Sequence, residues 1–235
     1  MRQSRPDRQR SNEQHPHGGA WLREVVFGLN DGLVTTLVFI MTVSAVAGAA
    51  SLVLIALSEI VAGGVSMALG GYLSAKTEHD ILLQRIATER AEIAEEPAEE
   101  RAELRRIYYD KGLRGPLLDR VVAQLTANDD RWLNALLRDE HGVVGDDGTP
   151  AWQQGLRIGA AFVVGGLIPA LPFLLNLPHP RPLAYALTAL TALALGALKA
   201  RYTLKGPIRA ALEFLAVVTG GTIAGIAIGA LLHAL

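Results

Sequence analysis

Two carboxylates and one thioether interrupt an otherwise apolar stretch near the start of this chain. Asp31, Glu59 and Met67 lie between Phe27 and Asp80, and from Gly32 to Ser58 there is no Asp, Glu, Lys or Arg. An ionisable group inside a membrane helix costs roughly 2.5–3.5 kcal/mol on insertion scales, so it usually faces a partner or a watery path. Two carboxylates and a soft sulfur in one helical hairpin point to a route for ions. Depth supports the grouping. Asp31 lies eight residues beyond Arg23, and Met67 nine before Lys76. At about 1.5 Å per residue both sit roughly 12–14 Å inward from those flanking cations. Glu59 is about eight residues in from the turn at Gly48–Ser51, too deep for a headgroup residue. The competing readings are a helix-end position for Asp31 and simple core filling for Met67.

A second set of carboxylates is outside the apolar runs. Glu89, Glu92, Glu95, Glu96, Glu99, Glu100 and Glu103 face only Arg90 and Arg101 there. Glu89 and Glu92 are three apart and share a helix face, as do Glu100 and Glu103. A hairpin turning at Pro97 brings the two pairs together, with Glu140 arriving from a third helix. Oxygen ligands of this kind suit Fe2+, Mn2+, Mg2+ and Ca2+. The alternative is a solvated acidic face.

The elements that would position these residues follow from hydropathy. The chain has 235 residues, half of them hydrophobic, a formal net charge of −1 and a mean hydropathy of +0.27. Charge gathers in the N-terminal tail and in residues 76–147 and nearly vanishes elsewhere, the pattern of a polytopic membrane protein with one polar insertion. The near-neutral balance gives no case for nucleic acid, and the absence of cysteine excludes disulfides, thiolate metal sites and cysteine catalysis. Met1 to Gly19 is polar, reads as a disordered basic tail without a signal peptide, and contains His15 and His17 as incidental histidines.

The expected fold is an all-α membrane protein of five transmembrane helices, with a cytosolic three-helix insertion between helices two and three. Helix one covers Trp21 to Ala49. Helix two starts near Leu52 and continues out of the bilayer to Pro97. The insertion continues with helices at about 98–111 and 116–140, punctuated by Gly112 and Gly115-Pro116. Helix three covers about 152–177, broken or kinked by Pro169 and Pro172. Helices four and five follow at about 183–198 and 208–235. The domains are therefore a tail at 1–19, two spans at 20–75, the insertion at 76–150 and three spans at 151–235. The basic tail, with Lys199, Arg201, Lys205 and Arg209 after helix four, places the N-terminus, the insertion and the four–five loop in the cytosol. Small residues at Gly155 and Gly159, and at Gly221, Gly225 and Gly229, suit close helix contacts, within one chain or between two. Five helices make a slim bundle for enclosing a path, which favours a homodimer with the path near its interface.

No nucleophile-elbow, phosphate-loop or zinc-protease motif is present, and no Glu-x-x-His pair of the ferritin-like kind, so the chain reads as a non-enzyme.

Four segments, FGLNDGLVTTLVFI, SEIVAGGVSMALGGYLSAKTE, GGLIPALPFLL and GALKARYTLKGPIRAALEF, together resemble the vacuolar iron transporter family from Trp21 to the C-terminus. The resemblance implies a homodimer that exports Fe2+, and often Mn2+, from the cytosol in exchange for protons, serving iron homeostasis. On that likeness Asp31, Glu59 and Met67 line the translocation path. Glu89, Glu92, Glu100, Glu103 and Glu140 collect metal in the insertion, and no cofactor is permanently bound. One departure stands out: Leu136 and Leu137 occupy positions where the family often has methionines, which loosens the expected preference for Fe2+ over Mn2+. The alternative function is a membrane-anchored metal buffer or sensor without flux, and a membrane-bound metal oxidase is a weaker third. Few lysines and much Ala, Arg and Gly fit a bacterial inner membrane.

Overall fold

The computed structural model describes residues 19–45, 47–142, 148–200 and 206–234. The tail with His15 and His17, residues 143–147, and the loop cations Arg201 and Lys205 lie outside the described residues. Among the described residues there are eight helices and no strand: α1 (Gly19–Val43), α2 (Ala49–Glu95), α3 (Pro97–Asp110), α4 (Gly115–Leu125), α5 (Asp129–Asp139), α6 (Ala151–Leu174), α7 (Pro180–Ala200) and α8 (Pro207–His233). α1, α2, α6, α7 and α8 are long and apolar enough to cross a membrane. The chain divides into two compact units, one built from residues up to Gly71 and from Gln154 onward, the other from Tyr72–Gln153.

In the first unit the helices approach through glycine. Gly28 and Gly32 of α1 lie under the carbonyls of Ile158 and Phe162 on α6, and Gly165 of α6 lies under the Leu29 carbonyl in return. α2 runs along α6 the other way. A Cβ on Gly159 would sit 2.5 Å from the Gly64 carbonyl oxygen, and one on Gly71 would sit 3.2 Å from the Gly155 Cα. On α8, Gly225 and Gly229 approach the Val38 and Thr42 carbonyls of α1. Both small-residue motifs thus serve contacts within the chain. Two apolar clusters fill the remaining space. Leu37 and Met41 pack with Ala184, Ala192 and Val218, and Ile40 packs with Ala56, Ile60 and Ala170. Outward, Leu54, Val61, Val65 and Leu69 of α2 are exposed, as a lipid-facing surface requires.

Three expected boundaries change. Helix one ends at Val43 rather than near Ala49. Helix three is not broken at its prolines, since α6 continues through both Pro169 and Pro172. A membrane helix tolerates the lost N–H donors where neighbouring groups satisfy the freed carbonyls. The single helix expected at 116–140 is two, α4 and α5, because Asn128 starts a new one. Its Oδ1 accepts the Arg131 N–H at 3.0 Å, Asp129 and Asp130 occupy the positive first turn, and Arg131 donates to the Gln124 carbonyl at 2.9 Å.

The second unit has its own core. Ile93 of α2, Leu104 of α3, and Trp132, Leu133, Leu136 and Leu137 of α5 form one buried cluster. Leu104 and Leu136 are wholly buried, the kind of site where truncation to alanine costs about 2–5 kcal/mol.

Because backbone rather than side chain faces Gly32, a larger residue there has nowhere to go. Gly32→Val is expected to lower the unfolding midpoint of the purified protein in detergent by roughly 5–10 °C. Gly220→Ala, whose added Cβ meets nothing within 4 Å, should hold or raise it. Equal midpoints for wild type and Gly32→Val would refute the close approach.

Candidate metal site

Asp31 and Glu59 belong to the first unit. Glu59 of α2 is half-buried, and its Oε2 accepts the hydroxyl of the fully buried Thr36 of α1 at 2.8 Å. A hydrogen bond to a charged group contributes roughly 1.5–3 kcal/mol, enough to offset much of the cost of placing a carboxylate in a membrane helix. Gly166 of α6 makes room for this pair, since a Cβ there would stand 2.7 Å from the Thr36 hydroxyl oxygen and 3.0 Å from Ile60. Asp31 is also half-buried, one turn before Thr35, whose hydroxyl it accepts at 3.5 Å, and it lies within electrostatic range of Glu59.

The Thr36–Glu59 contact sets the register of the antiparallel pair α1 and α2. Five residues back from Thr36, Asp31 is level with Gly64, so half-buried Met67 lies three residues farther along α2, about 4.5 Å. The structure therefore brings Asp31 and Glu59 into electrostatic range of each other, and by register alone Met67 stands about a turn from the level of Asp31.

Sequence reasoning missed two residues of this unit. Thr36 carries no signal distinguishing it from any membrane threonine. Glu24, nine-tenths buried near the start of α1, pairs with Arg157 of α6 at 3.3 Å. Glu24 was not singled out from the sequence.

In the second unit all five candidate glutamates gather. Glu89 and Glu92 come from α2, and Glu100 and Glu103 from α3. Glu140 is the residue that caps α5. The apolar cluster positions them: Glu89 lies one turn before Ile93 and Glu100 one turn before Leu104, so each buried carboxylate is adjacent to a core anchor. Asp139, next to Glu140, fastens the end of α5. It accepts from Tyr108 at 2.7 Å and pairs with Lys111 at 2.6 Å and Arg138 at 3.1 Å. The Arg138 guanidinium, with Lys111 and Tyr108, holds the Asp139 carboxyl well below the usual range despite burial.

The glutamates are opposite in character. Burial, followed by the negative charges of Glu89, Glu92, Glu103 and Glu140, pushes Glu100 up to about 7. Burial and the same neighbours raise Glu140, opposed by His141. Glu103 is partly relieved by Arg106 at 3.0 Å.

Within this gathering, Glu89, Glu140 and His141 form the tight group, one ligand atom from each lying within 4.8 Å of the others. Glu92, Glu100 and Glu103 surround it at charge range. His141 was not singled out from the sequence. A lone histidine after a glutamate has no periodic signature, and only the fold shows it beside Glu89, 52 positions earlier. Leu136 and Leu137 point into the apolar cluster and offer no ligand.

Five long apolar helices with carboxylates between them, attached to a polar helical unit, define an integral multi-pass membrane protein. Residues 22–230 match the VIT family, and the chain belongs to that family. It is 35% identical over 205 residues to vacuolar iron transporter 1 of Arabidopsis thaliana, covering 86% of this chain and 82% of that protein. It is 34% identical over 204 residues to vacuolar iron transporter 1 of Oryza sativa subsp. japonica, covering 86% and 81%. To the vacuolar iron transporter of Plasmodium berghei it is 26% identical over 225 residues, covering 91% and 81%.

The raised Glu100 carboxyl carries a sign. Its folded state holds a proton more tightly than the unfolded chain, whose value is about 4.5, so its contribution to stability is complete below that pH and is lost as pH rises through about 7. Metal-free protein is expected to unfold at a lower temperature at pH 8 than at pH 5.5 in a thermal melt. Glu100→Gln should flatten that difference; an unchanged slope in the variant would contradict the assignment.

Proposed function

We propose that this chain is a transporter, not an enzyme, exporting Fe2+, with Mn2+ as a second cargo, from the cytosol in exchange for protons. Membership of the VIT family and relatives named vacuolar iron transporters support a metal-ion cargo. The observation that carries the reading is the pair of half-buried carboxylates, Asp31 and Glu59, on one seam between two apolar helices. A cation is stabilised there when a carboxylate is ionised, and a proton neutralises the same group in the cation's absence. Competition of the two for one set of oxygens couples their flows.

The surrounding roles follow. The basic N-terminal side, Lys76 and the cations after α7 place the Tyr72–Gln153 unit in the cytosol by the positive-inside rule. Glu89, Glu92, Glu100, Glu103 and Glu140 then collect the cation, and Asp31, Glu59 and Met67 pass it across. Two copies of the chain, with their path at or near the interface, complete the enclosure that five helices alone do not. Composition favours a bacterial inner membrane, although the relatives named above are eukaryotic.

A second reading, a membrane-anchored buffer or sensor, is favoured by the tight Glu89–Glu140–His141 group, which needs no membrane route. Flux separates the two. In liposomes containing the protein, Fe2+ entry should be accompanied by a rise in luminal pH as protons leave, and Asp31→Ala should cut that flux at least tenfold while the protein stays folded. Wild-type rates in Asp31→Ala would remove Asp31 from the path; metal binding without any flux in the wild type would leave the buffer.

A further inference from the structure

We infer that His141 is itself a metal ligand, giving the carboxylate cluster of the second unit one nitrogen donor that sets its preference among divalent ions. This rests on the reading that the cluster binds such ions, and adds a residue and a selectivity to it.

The three donor atoms stand near the spacing that ligands of one ion adopt. His141 Nε2 lies 2.6 Å from Glu89 Oε1 and 3.9 Å from Glu140 Oε1. Bonds of about 2.0–2.2 Å to nitrogen and oxygen put neighbouring ligand atoms roughly 3–4 Å apart, so an ion enters with small outward shifts. The second oxygen of Glu89 gives an independent sign. Glu89 is 3% exposed, and its Oε2 is buried without a hydrogen-bond partner. A buried carboxylate oxygen left unmatched is costly, and a purely structural His141–Glu89 pair satisfies only Oε1. A cation held between Glu89, Glu140 and His141 resolves the remainder. His141 also has no place in the apolar cluster of this unit. It follows the cap of α5, with 27% of its side chain open, so an ion and its waters reach it from one side.

The donor set decides the ion. Carboxylates alone suit Mg2+, Ca2+ and Mn2+, whereas imidazole suits Fe2+, Zn2+, Ni2+ and Cu2+. Leu136 and Leu137 are buried and contribute no sulfur, so the imidazole is the donor of this tight group that favours the later ions. Ligation through Nε2 puts the ring proton on Nδ1.

The test uses the purified full chain in detergent, stripped of metal, with Co2+ and Mn2+ as probes. Wild type should bind both, and pulsed electron paramagnetic resonance of bound Mn2+ should show coupling to one imidazole nitrogen. His141→Gln should abolish that coupling, weaken Co2+ about tenfold and leave Mn2+ within about twofold. Absence of nitrogen coupling in the wild type, a measurement needing no variant, overturns the assignment, as does equal weakening of the two ions. Wild type that binds neither ion overturns the cluster's loading role and this ligand with it. Binding of both with an unchanged preference in His141→Gln overturns only the role of His141.

Discussion

The backbone of α6 comes against that of α1 and, through small residues, close to that of α2, and most of the membrane unit depends on those approaches. Gly28, Gly32 and Gly165 bring α6 against α1, while Gly64, Gly71 and Gly159 bring it against α2. In lipid, where apolar burial does not drive helices together, such close packing supplies much of the association. It also aligns chemistry. With α1 and α2 held to one partner, Thr36 meets Glu59, and Gly166 leaves the space for their hydrogen bond. Glu59 is therefore matched by a hydroxyl from the neighbouring helix.

The polar unit solves the opposite problem. It must hold like charges together in water, and it does so by placing them beside a hydrophobic cluster. Glu89 and Glu100 are drawn inward by Ile93 and Leu104, and that burial, with repulsion among the acids added to it, raises the carboxyl of Glu100. The apolar contacts sustain an arrangement that electrostatics alone would push apart. A bound divalent cation would relieve that opposition.

Much of this was legible in the sequence, and the gaps have physical reasons. Long apolar runs announced the five spans, and Pro97 and Gly112 marked the ends of α3 closely. Asp31 and Glu59 stood out because charge is rare in such helices. Glu89, Glu92, Glu100 and Glu103 stood out by spacing, which reports a shared helix face. Pairings across the fold leave no such trace. Thr36 and Gly166 matter only through Glu59, and His141 only through Glu89. The break between α4 and α5 has neither glycine nor proline, and is visible only in how Asn128 and Arg131 tie off the two ends. The prolines of α6 left a break or a kink open, and the helix runs on through both without a break, as membrane helices do where neighbours satisfy the backbone.

The clamp on Asp139 separates two duties that a single acidic surface would confuse. Its negative charge is consumed locally by Lys111, Arg138 and Tyr108, so it fastens α5 apart from the gathered glutamates. The fastening of α5 and the Glu89–Glu140–His141 group thus rest on different side chains only one residue apart. A change at position 140 or 141 therefore leaves the ties of Asp139, and with them the end of α5, in place.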